Sequence, residues 1–270
     1  MKITRTTLIV WIAGMMLTAI VSCQSETVTS ASANTDSIRV SANSTGVEVS
    51  VYADFPTKNT SPLLATAIAE YINEELGGTY EGDVNMGDSL LQFYANQQGD
   101  FLKSEYKELK SIRSDVPSLL YTASAKKVAE TDKYISLTTT TESYLGGAHG
   151  SMTISGVTIR KSDGRRLGWE IFHNTMSDDF NKLLKEGLMR YFSDQGHPAP
   201  TDEDLTTALM VEDVNHLPLP QSAPYMTSEG MVFTYQQYEI ACYAAGMPSF
   251  TIPYHKLEPF LAISAKQLYR

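Results

Sequence analysis

The residues with which this sequence could do chemistry are five histidines, two cysteines and a few clustered acids. The histidines are His149, His173, His197, His216 and His255. No two stand as H-x-x-x-H or H-E-x-x-H, the spacing that aims two imidazoles at one metal, so no metal site is expected. His149 lies in Tyr144-Leu145-Gly146-Gly147-Ala148-His149-Gly150. Small residues there let backbone approach a ligand, and an imidazole can move a proton near neutral pH. The same run describes a glycine-rich turn fixed by a hydrogen-bonded histidine. With no acid or nucleophile at a diagnostic spacing, the turn is the preferred reading. Glu142 and Ser151 flank His149 and suggest a serine-type set, but the chain has no G-x-S-x-G elbow. Cys242 with His255 would make a thiol pair. Nothing points to a lowered thiol pKa, so Cys242 is expected as a small buried apolar group.

The acids are Asp178 with Asp179, and Asp202, Glu203 and Asp204. Glycoside hydrolysis needs two carboxylates facing across a cleft. Both groups here open helices, where the positive end of the dipole favours them. Gly146-Gly147-Ala148-His149-Gly150 lacks the lysine and spacing of a phosphate-binding loop, and no cofactor motif appears. No catalytic set is therefore assigned. Tyr225, Phe233, Tyr235, Tyr238 and Tyr243 crowd the last third. On strands they pack as core; exposed, they suit stacking on a sugar or docking of a protein. Tyr144, Gly146, Gly147, His149, Tyr235 and Tyr238 are the candidate ligand-binding residues.

The N-terminus has the order of an export signal. Lys2 and Arg5 precede a short apolar run to Val21, which ends in Ile20-Val21-Ser22-Cys23. This is the layout of a lipobox, with acylation expected at Cys23 after removal of residues 1–22. The expected location is the cell envelope, with the chain lipid-anchored to a membrane on its extracytoplasmic side. Cys242 is then left without a disulfide partner. Residues 23–45, rich in Ser, Thr, Ala and Asn, read as a flexible tether. The net charge of −10 and the lack of a basic cluster argue against nucleic acid as a partner.

The elements that must position these residues follow from periodicity. Val47, Val49, Val51 and Ala53 alternate with polar residues as a strand. Ser61-Pro62 opens a helix with Leu64, Ile68, Tyr71, Ile72 and Leu76 on one face, and Gly77-Gly78 stops it. A second helical region starts near Asp88, breaks around Gly99 and resumes from Phe101 to Ile112. A β-rich meander runs from Leu119 to Ile171, with Asp163-Gly164 as a turn. Ser177 caps a helix with its apolar stripe at Phe180, Leu184 and Leu188. Thr201 and Asp204 have the spacing of a capping box, with Asp in place of the usual Glu or Gln. A hairpin about Ser228-Glu229-Gly230, a short strand at Phe250 and helical turns close the chain. The predicted class is α+β: an antiparallel sheet with helices packed on one face, in two small, closely joined α/β subdomains, 46–130 and 131–270.

Three segments in this order carry a resemblance: the Tyr144–Gly150 run; Trp169-Glu170-Ile171-Phe172 after Asp163-Gly164; and Tyr238-Glu239-Ile240-Ala241-Cys242-Tyr243-Ala244-Ala245-Gly246, followed by Ile252-Pro253-Tyr254-His255-Lys256-Leu257. The set resembles the extracytoplasmic C-terminal domain of the anti-sigma-V factor RsiV, a family of uncharacterised domains also found beside the catalytic domain of the peptidoglycan deacetylase PdaC. Residues 47–76 resemble the smaller domain that usually precedes it. Cys242 stands where the family commonly has proline, and Glu170-Ile171-Phe172 replaces a more usual Asp-Leu-Phe. Nothing resembles a sigma-binding segment or a deacetylase domain. The resemblance implies a fold, a surface location and recognition of a peptidoglycan fragment or a lysozyme-like muramidase. It implies no reaction. The reading is a lipid-anchored binding module. Its alternatives are a small envelope hydrolase using His149 and a structural envelope lipoprotein.

Overall fold

A computed structural model describes residues 33–196 and 201–270. The expected export signal, Cys23, the first part of the tether and His197 lie outside the described residues.

The strand expected at Val47 is preceded by another. β1 (Thr35–Ser41) pairs antiparallel with β2 (Val47–Pro56). It falls inside the stretch read as tether. Ile38 and Val40 pack on the core, and this two-residue apolar pattern is too short to stand out from sequence. The chain then forms α1 (Pro62–Leu76) and α2 (Gly87–Ile112). The break expected at Gly99 does not occur. Gly99 is buried within α2, and a β-carbon there would lie 3.1 Å from the Ala42 β-carbon. The glycine lets the helix lie close on the end of β1; it does not stop the helix.

The chain returns as β3 (Leu119–Glu130), β4 (Tyr134–Tyr144), β5 (Ser151–Arg160) and the short β6 (Arg166–Leu167). The sheet order is β1-β2-β3-β4-β5-β6. All neighbours are antiparallel except β2 and β3, which are parallel. A crossover through two helices brings the chain back to the same end of the sheet, so β3 must run beside β2 in the same direction. β4–β6, assigned from sequence to the second unit, complete the sheet begun by β1–β3. One face is covered: Val49, Val51, Ala53, Ala123 and Ala125 pack on Leu64, Ile68 and Ile72 of α1 and on Leu90, Leu91 and Tyr94 of α2.

The chain entry is clasped by charge. Ala33 N–H donates to Glu130 Oε1 at 3.0 Å, and Lys127 Nζ donates to the Ala33 carbonyl at 3.3 Å. Glu130 also accepts from Lys161 Nζ at 2.6 Å and from Lys127 Nζ at 2.9 Å.

The second body contains α3 (Asp178–Asp194), α4 (Asp202–Ala208), a three-stranded sheet of β7 (Tyr225–Met226), β8 (Gly230–Thr234) and β9 (Ser249–Pro253), then α5 (Tyr254–Leu257) and α6 (Ile263–Tyr269). Its core holds Phe180, Leu184, Leu188, Phe233, Tyr235 and Ile252. The helix starts take the acids as expected. Ser177 Oγ accepts from Phe180 N–H, and Thr201 with Asp204 forms a reciprocal capping box. Tyr134 of β4 belongs to this second core, and Met226 N–H donates to Thr158 Oγ1 of β5 at 2.8 Å. The two bodies are thereby joined through the sheet. Among the described residues no helix is long and apolar enough to cross a membrane.

Candidate functional site

The β4–β5 connection carries the glycine-histidine run. Gly146 takes a positive φ of 79°, which a glycine adopts without steric cost. Arg113, just past the end of α2, donates from Nη2 to the Gly146 carbonyl at 2.9 Å. Tyr144 Oη donates to the Gly147 carbonyl at 3.1 Å. His149 Nδ1 lies 2.9 Å from the Gly150 carbonyl; a carbonyl only accepts, so Nδ1 donates.

The second wall is the loop after β8. It docks through side-chain amides on the part of β5 that β6 leaves unpaired. Gln236 Oε1 accepts from Ile154 N–H at 3.1 Å, and Gln236 Nε2 donates to the Ile154 carbonyl at 2.7 Å. Gln237 Oε1 accepts from Met152 N–H at 3.0 Å. Two glutamines thus stand in for a strand. Glu239 closes the turn, accepting from Gln236 N–H and Gln221 N–H, each at 2.6 Å. The result holds Tyr238 at a φ of 63°, a conformation few non-glycine residues adopt. Such strain persists only where surrounding contacts enforce it.

These loops, about ninety residues apart in sequence, meet ring against ring. His149 stacks on Tyr243 with centroids 4.0 Å apart and planes at 26°. Tyr238 lies 5.8 Å from Tyr243, and its hydroxyl sits 3.5 Å from His149 Nε2, at the outer limit for a hydrogen bond. Tyr243 Oη donates to the Gly150 carbonyl at 3.1 Å. Tyr238 is 54% exposed and Leu145 45%, so the assembly presents an apolar, aromatic surface. Beside it lies a cleft of about 270 Å³ lined by Leu120, Glu142, Tyr144, Met152, Gln237 and Tyr243 among others.

The structure brings Tyr144, Gly146, Gly147, His149 and Tyr238 together. It does not bring Tyr235, which is fully buried in the second core and donates its hydroxyl to the Pro218 carbonyl at 2.7 Å. Burial pushes the Tyr235 phenol well above its ordinary pKa. Tyr235→Phe is expected to lower stability by about 1 kcal/mol, because one buried hydrogen bond is lost. Urea denaturation checks this, and partner binding should be unchanged. Cys242, expected as buried, is exposed. Tyr243, Gln236, Gln237 and Arg113 were not singled out as site residues. Tyr243 stood among the crowded aromatics, but no strand or helix period connects it to His149.

The serine-type set is not assembled. Ser151 faces Ser143 across the β4–β5 pair and Glu142 faces Met152, so Glu142 and Ser151 point to opposite sides of the sheet. Among the described residues the His149 ring bonds only to the Gly150 carbonyl and, at the 3.5 Å limit, to the Tyr238 hydroxyl. Among the described residues no three or more His, Cys, Asp or Glu side chains are grouped as metal ligands. A larger depression of about 700 Å³ beside α3 is lined by Asp178, Lys182, Lys185 and Asp202 among others. There Lys185 already pairs with Asp202 at 2.9 Å and Asn215 at 2.8 Å.

The class of protein is therefore a mixed α/β fold with a six-stranded sheet, helices on one face and a smaller sheet-bearing body joined to it. Residues 170–255 carry a domain that matches the family model described as Protein of unknown function (DUF3298). A solved member of that family from Bacteroides fragilis is similar in fold at a TM-score of 0.66 and 19% identity, over 86% of this chain and 95% of its own. A DUF3298 family protein from Pseudomonas aeruginosa aligns at a TM-score of 0.56 and 13% identity, over 85% of this chain and 95% of its own. At these identities the likeness is one of fold. A comparison with curated proteins finds no match. The matched segment contains the Tyr238–Tyr243 loop, while His149 lies before it.

Proposed function

We propose that this chain is an envelope-anchored recognition module that binds a cell-envelope glycan or a lysozyme-like protein and catalyses no reaction. The observation that carries the reading is the exposed aromatic face built from two distant loops, with Tyr238 held in a strained conformation beside the His149–Tyr243 stack. Aromatic rings anchored by a rigid scaffold give contact area at little entropic cost, and such residues dominate binding surfaces. The export-signal layout ending at Cys23 supports the location, with a lipid as the membrane attachment. The resemblance to the RsiV extracytoplasmic domain supports a muramidase or a peptidoglycan fragment as the partner. The hydrolase reading has less support, because among the described residues the His149 ring has no carboxylate or nucleophile bonded to it.

The test is a pull-down from envelope extract and from purified lysozyme, using the chain after Cys23 with His149→Ala and Tyr238→Ala variants. Tyr238→Ala should weaken capture about tenfold or more, as for a central aromatic contact, with little change in melting temperature. Hydrolytic activity abolished by His149→Ala would transfer the site to the enzyme reading. No partner for any variant would favour a structural lipoprotein.

A further inference from the structure

The face of the large sheet that the helices leave open is built almost entirely from hydroxyl-bearing and charged side chains. Strand register sets them in transverse rows. Tyr52, Ser124 and Thr140 stand side by side across β2, β3 and β4, and Ser50, Thr122 and Glu142 form the next row. Leu120 and Tyr144 follow at the end of the sheet. Every one of these residues is partly accessible to solvent, whereas Val49, Val51, Ala53, Leu119 and Ala123, next to them in sequence on β2 and β3, turn into the helical core. The last rows run directly into the cleft beneath the aromatic face.

Within that cleft the polar groups are under-used. The half-buried Glu142 carboxylate has no ion pair or hydrogen bond among the described residues. Gln237 accepts from Met152 N–H through its oxygen, and its amide nitrogen has no partner among the described residues. The Glu142 carboxylate stands with Leu120 and Met152 in the cleft lining, where it can accept from donors brought by a ligand. A bound hydroxyl or amide N–H group supplies them. Tyr243, held by its stack on His149, gives the cleft an aromatic wall. A carboxylate with no cation in the lining disfavours a phosphate or another anion. The cleft's 270 Å³ is smaller than the roughly 300–1,000 Å³ of clefts that enclose drug-sized ligands, which limits it to one ring.

We infer that this cleft holds a single uncharged pyranose ring, of the hexose or N-acetylhexosamine type, with Glu142 and Gln237 reading its hydroxyl and amide groups and Tyr243 packing on its apolar face. The inference rests on the recognition reading and names the ligand chemistry within it. The hydroxyl rows of β2–β4 then give a further sugar chain a polar, unobstructed surface to lie along.

The test titrates the isotopically labelled chain after Cys23 with N-acetylglucosamine and with its β-1,4-linked dimer and trimer, following backbone amide resonances. The expected result is saturable shifts at Gly150, Met152 and Gln237. Glu142→Ala should weaken binding about tenfold or more, a loss typical of a central contact, and Glu142→Gln should weaken it less because the amide oxygen still accepts. Tyr238 does not line the cleft, so Tyr238→Ala should leave sugar binding within about threefold. A thermal melt of each variant separates lost binding from lost folding, and Glu142→Gln keeps the side-chain volume if Glu142→Ala fails to fold. No shift at the cleft with any sugar, while Tyr238-dependent capture of an envelope protein persists, overturns this inference and leaves the recognition reading intact. Sugar binding unaffected by both Glu142 variants also overturns it. Absence of both sugar binding and partner capture removes the two together.

Discussion

Phe180→Ala lowers the stability of the protein by about 3–5 kcal/mol, the range for deleting a fully buried aromatic ring. Phe180 is fully buried on the inner face of α3. Its ring lies 5.2 Å from Phe260, 6.0 Å from Phe172 and 6.3 Å from Phe233, all nearly edge-on. Phe172 and Phe233 in turn contact Trp169. The substitution removes the hub of this cluster. Edge-to-face pairs add to simple burial, so the cost should lie toward the upper part of the range. In a domain of this size the melting temperature should fall by roughly 10 °C. Equilibrium urea denaturation checks the value, and a loss below about 1 kcal/mol would mean that the cluster is not packed as described.

Glu130→Gln has the next largest effect, about 2–4 kcal/mol, because it strands a buried cation. The Lys161 side chain is only 4% exposed, and Glu130 is its sole ion-pair partner among the described residues. Glu130 itself is 25% exposed and keeps Lys127 nearby, which is why the cost is set below that of a wholly buried pair. Lys161→Met should cost less than Glu130→Gln, since it removes the buried charge and leaves Glu130 paired with Lys127. The same cluster predicts acid sensitivity. Burial alone raises the Glu130 carboxyl, but hydrogen bonds from Lys127, Lys161 and Ala33 N–H outweigh it and hold the group below its ordinary value. A depressed folded pKa contributes stability that is fully present above the unfolded value, about 4.3, and lost as pH falls through the folded value. Wild-type stability should therefore drop below about pH 4 more steeply than that of Glu130→Gln. Parallel slopes for the two proteins between about pH 5 and pH 2 would contradict this.

Where a local rule operates, the sequence was readable. Ser177, Thr201 with Asp204, and Gly77 mark helix ends through hydrogen bonds made within a few residues, and the helices begin or end there. Gly99 misled because a glycine in a helix signals either a stop or a close approach, and only the position of Ala42 decides between them. β1 was hidden because Ile38 and Val40 are its only inward aliphatics. The parallel β2–β3 pair depends on α1 and α2 together returning the chain to the end of the sheet where β2 begins, and no residue encodes that.

The site shows the same division. His149 and its glycines were visible as a motif, and Tyr238 as an aromatic in a second motif. That they meet is a consequence of Gln236 and Gln237 bonding the edge of β5, an arrangement with no sequence period. Tyr235 looked equivalent to Tyr238. Three residues apart, one closes the core and the other faces solvent, because the chain turns sharply between them at Glu239's hydrogen bonds.

Recognition without turnover can be measured by co-sedimentation with labelled, purified peptidoglycan and muramidase. Wild-type protein, His149→Ala and Tyr238→Ala are incubated separately with each partner, and pelleted or captured protein is measured together with released soluble label. Wild type should be retained by at least one partner, Tyr238→Ala should lose about tenfold or more of that retention, and none of the three should release label in the absence of muramidase. Release of label by wild type that disappears in His149→Ala, or retention equal in wild type and Tyr238→Ala with both partners, would contradict it.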